Sequence, residues 1–528
     1  MKNTKSAKTF KIFKNAIDPK TLYFILAFSL LISATIVRSL DVSNFIGIFS
    51  ICIISITIMF MDIFRYKPSY LKLQKMIILL VLMFLGTLVF GRLIEYIFIN
   101  FTRGLGLHEQ KAIIYGLPVQ AGAMLVMLLF DSHTAIIFSF IISILGGIWQ
   151  NDAYYTFYVF AGSIIAAFSV IRCKKRSDII KGGLYVSLAN VLSVLVFSTF
   201  SANRSLEMII PSLIFAMTSG ITISAFTSIM LPILESVFKV TTDITLLELL
   251  DLNQPLMKNL MISAPGTYHH SVIVGNLVEA AAEDIGVNPL LARVSAYYHD
   301  IGKIKMPEYF VENQSGSINK HEKLNPHMSS MILISHVKEG LELADQHKLP
   351  ELVKDIITQH HGTHIITYFY QKAKEEQSDP PKEEDYRYPG PKPQNRIAAI
   401  VMIADAVEAA SRVLKESTPA RVSGLVEKII NTILIDGQLT ECELTLKDIN
   451  KIKERFTYIL NGILHKRIEY PGFDFNNMTA VKEGEKHKNV DREPQQKEKD
   501  KPALDQATGE PGSNVIEFKK GGTSASKS

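Results

Sequence analysis

The chain has 528 residues and a net charge of +5, yet that balance is a sum of opposites: residues 1–240 carry 21 Lys or Arg against 10 Asp or Glu, and residues 241–528 carry 35 against 41. Low charge and repeated apolar runs in the first part exclude both a wholly soluble protein and a disordered one. Twelve of the 14 His lie in the second part, ten of them between His269 and His364, so a membrane part is expected to precede a His-rich soluble part. Cys52, Cys173 and Cys442 have no paired spacing, which excludes a disulfide framework and a thiolate zinc site.

Residues 1–20 form a basic amino terminus. The apolar run after it lacks a small-residue cleavage site and is expected to be a retained helix rather than a signal peptide. Runs long enough to cross about 30 Å of hydrocarbon occur near Thr21–Val37, Phe45–Phe64, Met76–Ile99, Ala112–Phe130, His133–Trp149, Tyr154–Ile171, Ile179–Phe200 and Leu206–Phe238, giving eight spans within 21–240. Basic residues gather in alternate connections: Lys2 to Lys20, Arg65 to Lys75 and Arg172 to Lys181 on one side, against only Arg38, Arg103, Lys111 and Arg204 on the other. That bias predicts both ends in the cytoplasm. The pair of spans split at Asp131-Ser132 decides the parity. Arg92 and Glu95, three apart in the third span, are read as a pair near the outer interface that snorkels, with a buried polar contact or a ligand-sensing site as the alternative. Tyr154, Tyr155, Phe157 and Tyr158 are read as an interfacial aromatic belt.

After the last span, Thr245 and Glu248 have capping-box spacing and predict a helix within a linker over 241–264. From 265 to 472 the apolar spacing is helical with short breaks and little period-two alternation, so an all-α bundle is expected. Gln371 to Asn395 is rich in Lys, Glu and Pro and cannot continue a helix, which makes it a lid or a solvated insertion. Residues 473–528 are polar and charged and read as a disordered tail.

Within the bundle, His299-Asp300 closes a helix starting near Pro289, followed by Ile301-Gly302-Lys303. A carboxylate beside an imidazole can share metal ions, Gly302 lets the backbone turn away, and Lys303 offers a cation to a phosphate. His270, His336, His360, His361 and Asp405 fall on other predicted helices that could converge with the pair. Nitrogen and oxygen donors without thiolate suit Mn, Fe, Zn or Mg, and seven donors exceed what one ion needs. Each residue has a blander reading: a lone His such as His336 on an apolar helix is commonly core, and Asp405 could meet an Arg or a helix cap. His347 lies about 16 Å along the axis from His336 and cannot join the same site. His269, His321, His327 and His364 are read as surface or supporting residues.

The succession His270, His299-Asp300, His336, His360-His361, Asp405 closely resembles the HD-domain phosphohydrolases, and specifically their membrane-anchored seven-transmembrane subgroup, whose members hydrolyse cyclic di-AMP. The likeness extends from Phe45 to Tyr470 and includes Ala264-Pro265-Gly266-Thr267-Tyr268-His269-His270-Ser271, Tyr298-His299-Asp300-Ile301-Gly302-Lys303, Gln359-His360-His361-Gly362-Thr363 and Glu384 to Pro393. The resemblance implies a polytopic α-helical membrane domain followed by a cytoplasmic all-helical HD bundle in a bacterial plasma membrane. It implies His270, His299, Asp300, His336, His360, His361 and Asp405 as ligands of two divalent ions, Mn or Fe foremost, with Asp300 shared. Asp300 and Lys303 are the catalytic candidates. Family members usually carry a large extracytoplasmic domain after the first span, whereas here Arg38 to Asn44 is the whole connection, so input from such a domain is not expected.

The activity so implied is opening of cyclic di-AMP to pApA by a metal-bridging hydroxide. A cyclic di-GMP hydrolase is the nearest alternative. Those enzymes typically follow the paired His with Gly-Tyr-Pro, whereas His361 here leads into Gly362-Thr363-His364. Another nucleotide phosphohydrolase and a non-catalytic nucleotide receptor are the remaining alternatives. The expected partners are a cyclic dinucleotide, membrane lipid and, in a homodimer, a second copy. Nucleic acid is not expected, because the soluble part is net acidic.

Overall fold

The computed structural model describes residues 19–37, 42–67, 70, 74–104, 106, 111–200, 206–314, 319–376, 380–414 and 418–464. Lys2 to Lys14, Arg38, Lys72 and the polar tail over 473–528 lie outside the described residues. The fold is all-α, and among the described residues the sole β pairing is an isolated bridge between Ile365 and Arg387.

The membrane part comprises α1 (Pro19–Ile36), α2 (Val42–Tyr66), α3 (Gln74–Gly104), a 3₁₀ turn (Ala112–Gly116) leading to α4 (Ala121–Leu129), α5 (Ser132–Gln150), α6 (Ala153–Ser169), α7 (Arg176–Phe200) and α8 (Leu206–Phe238). Six of these segments are long and apolar enough to cross a membrane; α6 and the apolar stretch Leu22–Ile36 of α1 are shorter. The split at Asp131 is real: its carboxylate caps α5 by accepting from the Thr134 amide at 3.0 Å. The expected fourth span is interrupted. Pro118 has no amide to donate and the chain unwinds between Gly116 and Gln120, with that backbone buried inside protein rather than against lipid.

Two membrane readings need correction. Arg92 does not snorkel: its guanidinium donates to the carbonyls of Thr35 and Ile36 at 2.9 and 2.8 Å, closing the end of α1, and its partner Glu95 is buried beside Gln150. The aromatic cluster is only half a belt. Tyr154 and Phe157 face outward, but Tyr155 and Tyr158 are fully buried, because helical spacing turns that pair by about 100° toward the bundle. Polar contacts among Tyr70, Lys67 and Asp131, between Asp62 and His133, and from Lys75 to the Lys239 carbonyl gather at the end of the bundle where α8 leaves it.

Beyond Lys239, whose φ of 50° turns the chain, come α9 (Asp243–Leu249) and α10 (Pro255–Ser263). The cap of α9 is Thr242, not Thr245; it accepts from the Thr245 amide, while Glu248 reaches away to Arg176 of α7 at 2.8 Å. The expected capping box fails because the helix starts one turn earlier and a basic partner outcompetes the local bond. The bundle proper is α11 (Pro265–Ile285), α12 (Pro289–Tyr298), α13 (Pro326–Gln346), α14 (Glu351–Gln359), α15 (Thr367–Glu376), α16 (Arg396–Ser411), α17 (Pro419–Ile435) and α18 (Leu446–Leu464). Its core centres on α16, where Ala398 to Ala404 are all buried among α11, α17 and α18.

Within the membrane part, α7 and α8 cross at two glycines. A Cβ added at Gly220 would stand 2.1 Å from the Gly183 carbonyl oxygen, which cannot move without its helix. Gly220→Ala is therefore expected to lower the thermal midpoint of the full chain in detergent, by about 1–3 kcal/mol of overpacking. Gly86→Ala, which meets nothing within 4 Å, should leave it unchanged.

Candidate metal centre

Five separated stretches bring the predicted residues together. His270 comes from α11, His299-Asp300 from the end of α12, His336 from α13, His360-His361 from the end of α14, and Asp405 from α16. Only His270, His336 and Asp405 lie inside helices; His299-Asp300 closes α12 as expected, whereas His360-His361, expected on a helix, falls where α14 stops. Gly302 has a different role from the turn expected of it. A Cβ there would lie 1.8 Å from the His336 carbonyl oxygen, so only glycine lets the 3₁₀ turn Ile301–Lys305 press against α13 and bring Asp300 to His336.

The donors form two groups, Asp300 with His336, His360 and His361, and His270 with His299, Asp300 and Asp405, each within 4.8 Å of one another. Asp300 belongs to both, and its two oxygens divide the work. Oδ1 lies 3.4 Å from His336 Nε2 and 3.6 Å from His360 Nε2, whereas Oδ2 lies 3.3 Å from His299 Nε2 and 3.7 Å from His270 Nε2. Asp405 lies 3.0 Å from His270 Nε2 through Oδ1 and 3.6 Å from His361 Nδ1 through Oδ2.

The imidazoles are pre-oriented by the backbone. Nδ1 of His299, His336 and His360 faces the carbonyl three residues earlier, Ala296, Leu333 and Ile357, at 2.7, 2.5 and 2.8 Å. Donating there leaves Nε2 as the nitrogen that faces Asp300. His270 is set in the same sense by Glu408, 2.5 Å from its Nδ1, and Glu408 is anchored by Arg412 at 2.7 Å.

A cation fits this donor set. His299 Nε2 and both Asp300 oxygens are buried without a hydrogen bond, a costly state for polar atoms in a low-dielectric interior. Lys303 Nζ lies 2.7 Å from Asp300 Oδ2, a charge contact off the hydrogen-bonding line, and shares itself with Glu312 at 2.9 Å. Burial would raise the Asp300 pKa, but Lys303 and His299 hold it well below the usual carboxylate range. Burial would likewise lower His299, yet Asp300 and Asp405 raise it to about 10. His270 is also raised, by Asp405 and Glu408 against burial. On the other side, burial drives His336 down to about 3, with His360 and Lys303 adding to it against the attraction of Asp300. His361 is pushed well below its ordinary value by burial and His360.

Lys303 is thus inside the site but neutralised by two carboxylates, rather than standing free for a phosphate. Glu312, Glu408 and Tyr388 were not foreseen. Glu312 is held by Thr267 Oγ1 at 3.1 Å, which gives the Pro265-Gly266-Thr267 stretch a role. Tyr388 stacks on His361 with ring centroids 4.2 Å apart. Its segment, left between lid and insertion, is a packed wall: Tyr386 is buried, and Arg387 donates to the Thr363 carbonyl at 2.8 Å. His321 is buried and bonded to the Tyr309 carbonyl, His364 pairs with Asp436, and His269, His327 and His347 join neither donor group.

Known proteins share this arrangement of parts. The model of the family described as "7TM receptor with intracellular HD hydrolase" matches residues 42–242, and that of the HD domain matches residues 267–410. The first range holds seven apolar helices, α2 to α8, with α1 preceding it. The cyclic-di-AMP phosphodiesterase PgpH of Bacillus subtilis is 42% identical over 373 residues, covering 69% of this chain and 52% of that protein. Its Listeria monocytogenes namesake is 41% identical over 327 residues, covering 61% and 45%. The chain therefore spans about half the length of these curated relatives. Crystal structures of the L. monocytogenes PgpH HD domain, one of them in complex with cyclic-di-AMP, are 49% identical, cover 40% and 41% of this chain and 100% of theirs, and give TM-scores of 0.39. This chain is a multi-pass membrane protein and belongs to the family of seven-transmembrane proteins carrying an HD hydrolase domain.

Proposed function

We propose that the chain is a membrane-anchored phosphodiesterase that opens cyclic di-AMP to pApA at a two-metal centre on the cytoplasmic side. The observation carrying this reading is the division of one buried carboxylate, Asp300, between two groups of nitrogen and oxygen donors. His336, His360 and His361 would hold one ion, His270, His299 and Asp405 the other, and Asp300 both. Bound there, divalent ions would supply a hydroxide by lowering the pKa of a water they share and would offset charge on the phosphodiester. Donor chemistry without thiolate suits Mn or Fe.

The residues contribute what the ions cannot. Three backbone carbonyls and Glu408 engage Nδ1 of the imidazoles, so Nε2 is the nitrogen aimed at an ion before any ligand arrives. Lys303, clamped between Asp300 and Glu312, keeps the shared carboxylate ionised. His361 and Asp405 are the more exposed donors, and Tyr388 packs over His361, so substrate reaches the site from that side and the ring orients the imidazole. The preference for the adenine dinucleotide rests on similarity to the two phosphodiesterases named for it, and on the absence of Gly-Tyr-Pro after His361.

The domain limits that follow are a membrane part over 21–240, a linker over 241–264 and an HD domain over 265–472. Lipid contact goes with the apolar outer faces of α2 to α8.

Purified full-length protein with Mn should hydrolyse cyclic di-AMP in preference to cyclic di-GMP, and Asp300→Asn or His299→Ala should cost at least about a hundredfold in turnover and lower metal content. Undiminished hydrolysis by Asp300→Asn contradicts the site. A second expectation concerns protons. His299 is raised to about 10, so the metal-free protein holds a proton there at pH 7 that a cation must displace, and His270 is shifted in the same direction, whereas His336 and His361 are already neutral. Mn uptake should release protons, and apparent affinity should rise with pH until His299 has titrated near 10. Calorimetric titration in two buffers of different ionisation enthalpy measures this, and zero release would contradict it.

A further inference from the structure

At the end of the helix bundle opposite the HD domain there is a cavity of about 610 Å³. Its position follows from chain direction: it is lined by the last turns of α5 and α7 and the first turns of α6 and α8, whereas Arg176 at the start of α7 and Lys239 just beyond the end of α8 meet the soluble part through Glu248 and Glu351. Such a volume lies in the range of small-molecule sites.

Two opposite charges face this cavity without pairing. Asp152 Oδ1 accepts from the amides of Tyr154 and Tyr155 at 2.8 and 3.3 Å and so caps α6, while Oδ2 has no partner among the described residues. Lys111, just before the 3₁₀ turn, makes no ion pair or hydrogen bond among the described residues. At the border of hydrocarbon an acid and an ammonium would gain by meeting, and their separation across a shared space leaves each available to a ligand. The third charge of the lining, Glu95, is engaged by Arg92 and Gln150. Ile99, Val194, Phe197 and Ile209 supply an apolar wall, and Tyr154 lies 5.8 Å from Phe197, centroid to centroid.

We propose that this cavity binds a small zwitterion with an apolar substituent, its ammonium at Asp152, its carboxylate at Lys111 and its side group on the wall of Ile99, Val194, Phe197 and Ile209. The site is separate from the HD domain, and its occupancy is read by binding, not by hydrolysis, so it stands or falls independently of the phosphodiesterase reading. Tyr115 also lines the cavity; its carbonyl accepts from the Tyr158 hydroxyl, and it belongs to the interrupted segment before α4. A ligand there touches α5, α6, α7 and α8 at once.

The test is equilibrium binding of radiolabelled L-phenylalanine to the full chain in detergent, against phenethylamine, which lacks the carboxylate, and 3-phenylpropionate, which lacks the ammonium. Saturable binding of L-phenylalanine is expected, with both analogues at least about tenfold weaker. Asp152→Asn, which keeps a good helix cap, and Lys111→Met should each weaken L-phenylalanine by at least about tenfold, with size-exclusion profile and thermal midpoint retained. Absence of saturable binding to the wild-type chain, equal binding of either analogue, or unchanged affinity in both well-folded variants would overturn the proposal.

Discussion

The soluble part is organised around one buried carboxylate. Asp300 has almost no contact with solvent, its two oxygens make no hydrogen bond, and four imidazole nitrogens and a lysine surround it within 3.7 Å. An ionised acid in that position is tolerable only among positive charges, since leaving it uncompensated costs about 3–5 kcal/mol. Lys303 supplies one such charge from below. The remaining lone pairs converge on the two sides of the carboxylate, and the geometry follows from that division.

Local backbone chemistry makes the convergence possible. Ending α12 and α14 at the His299-Asp300 and His360-His361 pairs frees adjacent side chains to diverge, which an uninterrupted helix would space by about 100° on one cylinder. The contact of Gly302 with α13 sets how near Asp300 comes to His336. Each carbonyl three residues before His299, His336 and His360 engages Nδ1 without any further side chain. Glu408 does the same for His270 from a distant helix, so α16 contributes a donor at Asp405 and a support one turn later.

The all-α class, the membrane-then-bundle order and the apolar helices were legible because hydropathy and period report directly on lipid and core. The seven residues that converge in the bundle were legible as a family pattern, though their spacing alone gives no distances. Supporting residues were harder to see. Glu408 left one signal, Asp405-x-x-Glu408 on a helix that between its terminal Arg396 and Ser411 is otherwise made of Ala, Val, Ile and Met, where two acids on one face need a reason. Glu312 sits in a run of 3₁₀ turns with no periodicity to read, and Tyr388 in a Pro-rich stretch whose packing is tertiary. The reading of Arg92 went astray because a distant helix end, not the interface, takes its donors, and the burial of Tyr155 and Tyr158 is a matter of helix face that composition cannot distinguish.

Among the described residues, the membrane and soluble parts meet through Arg176 with Glu248, Lys239 with Glu351, Glu235 with Thr242 and Thr245, and Ile244 packed into the membrane core, besides the covalent passage from α8 to α9. Of these contacts, the one at Glu351 reaches the first residue of α14, the helix that ends at His360. The most direct test of the shared carboxylate is electron paramagnetic resonance of the Mn-loaded full-length protein. A spectrum of two exchange-coupled ions that disappears in Asp300→Asn is predicted, and a six-line signal of isolated ions in the fully loaded wild type would contradict the account.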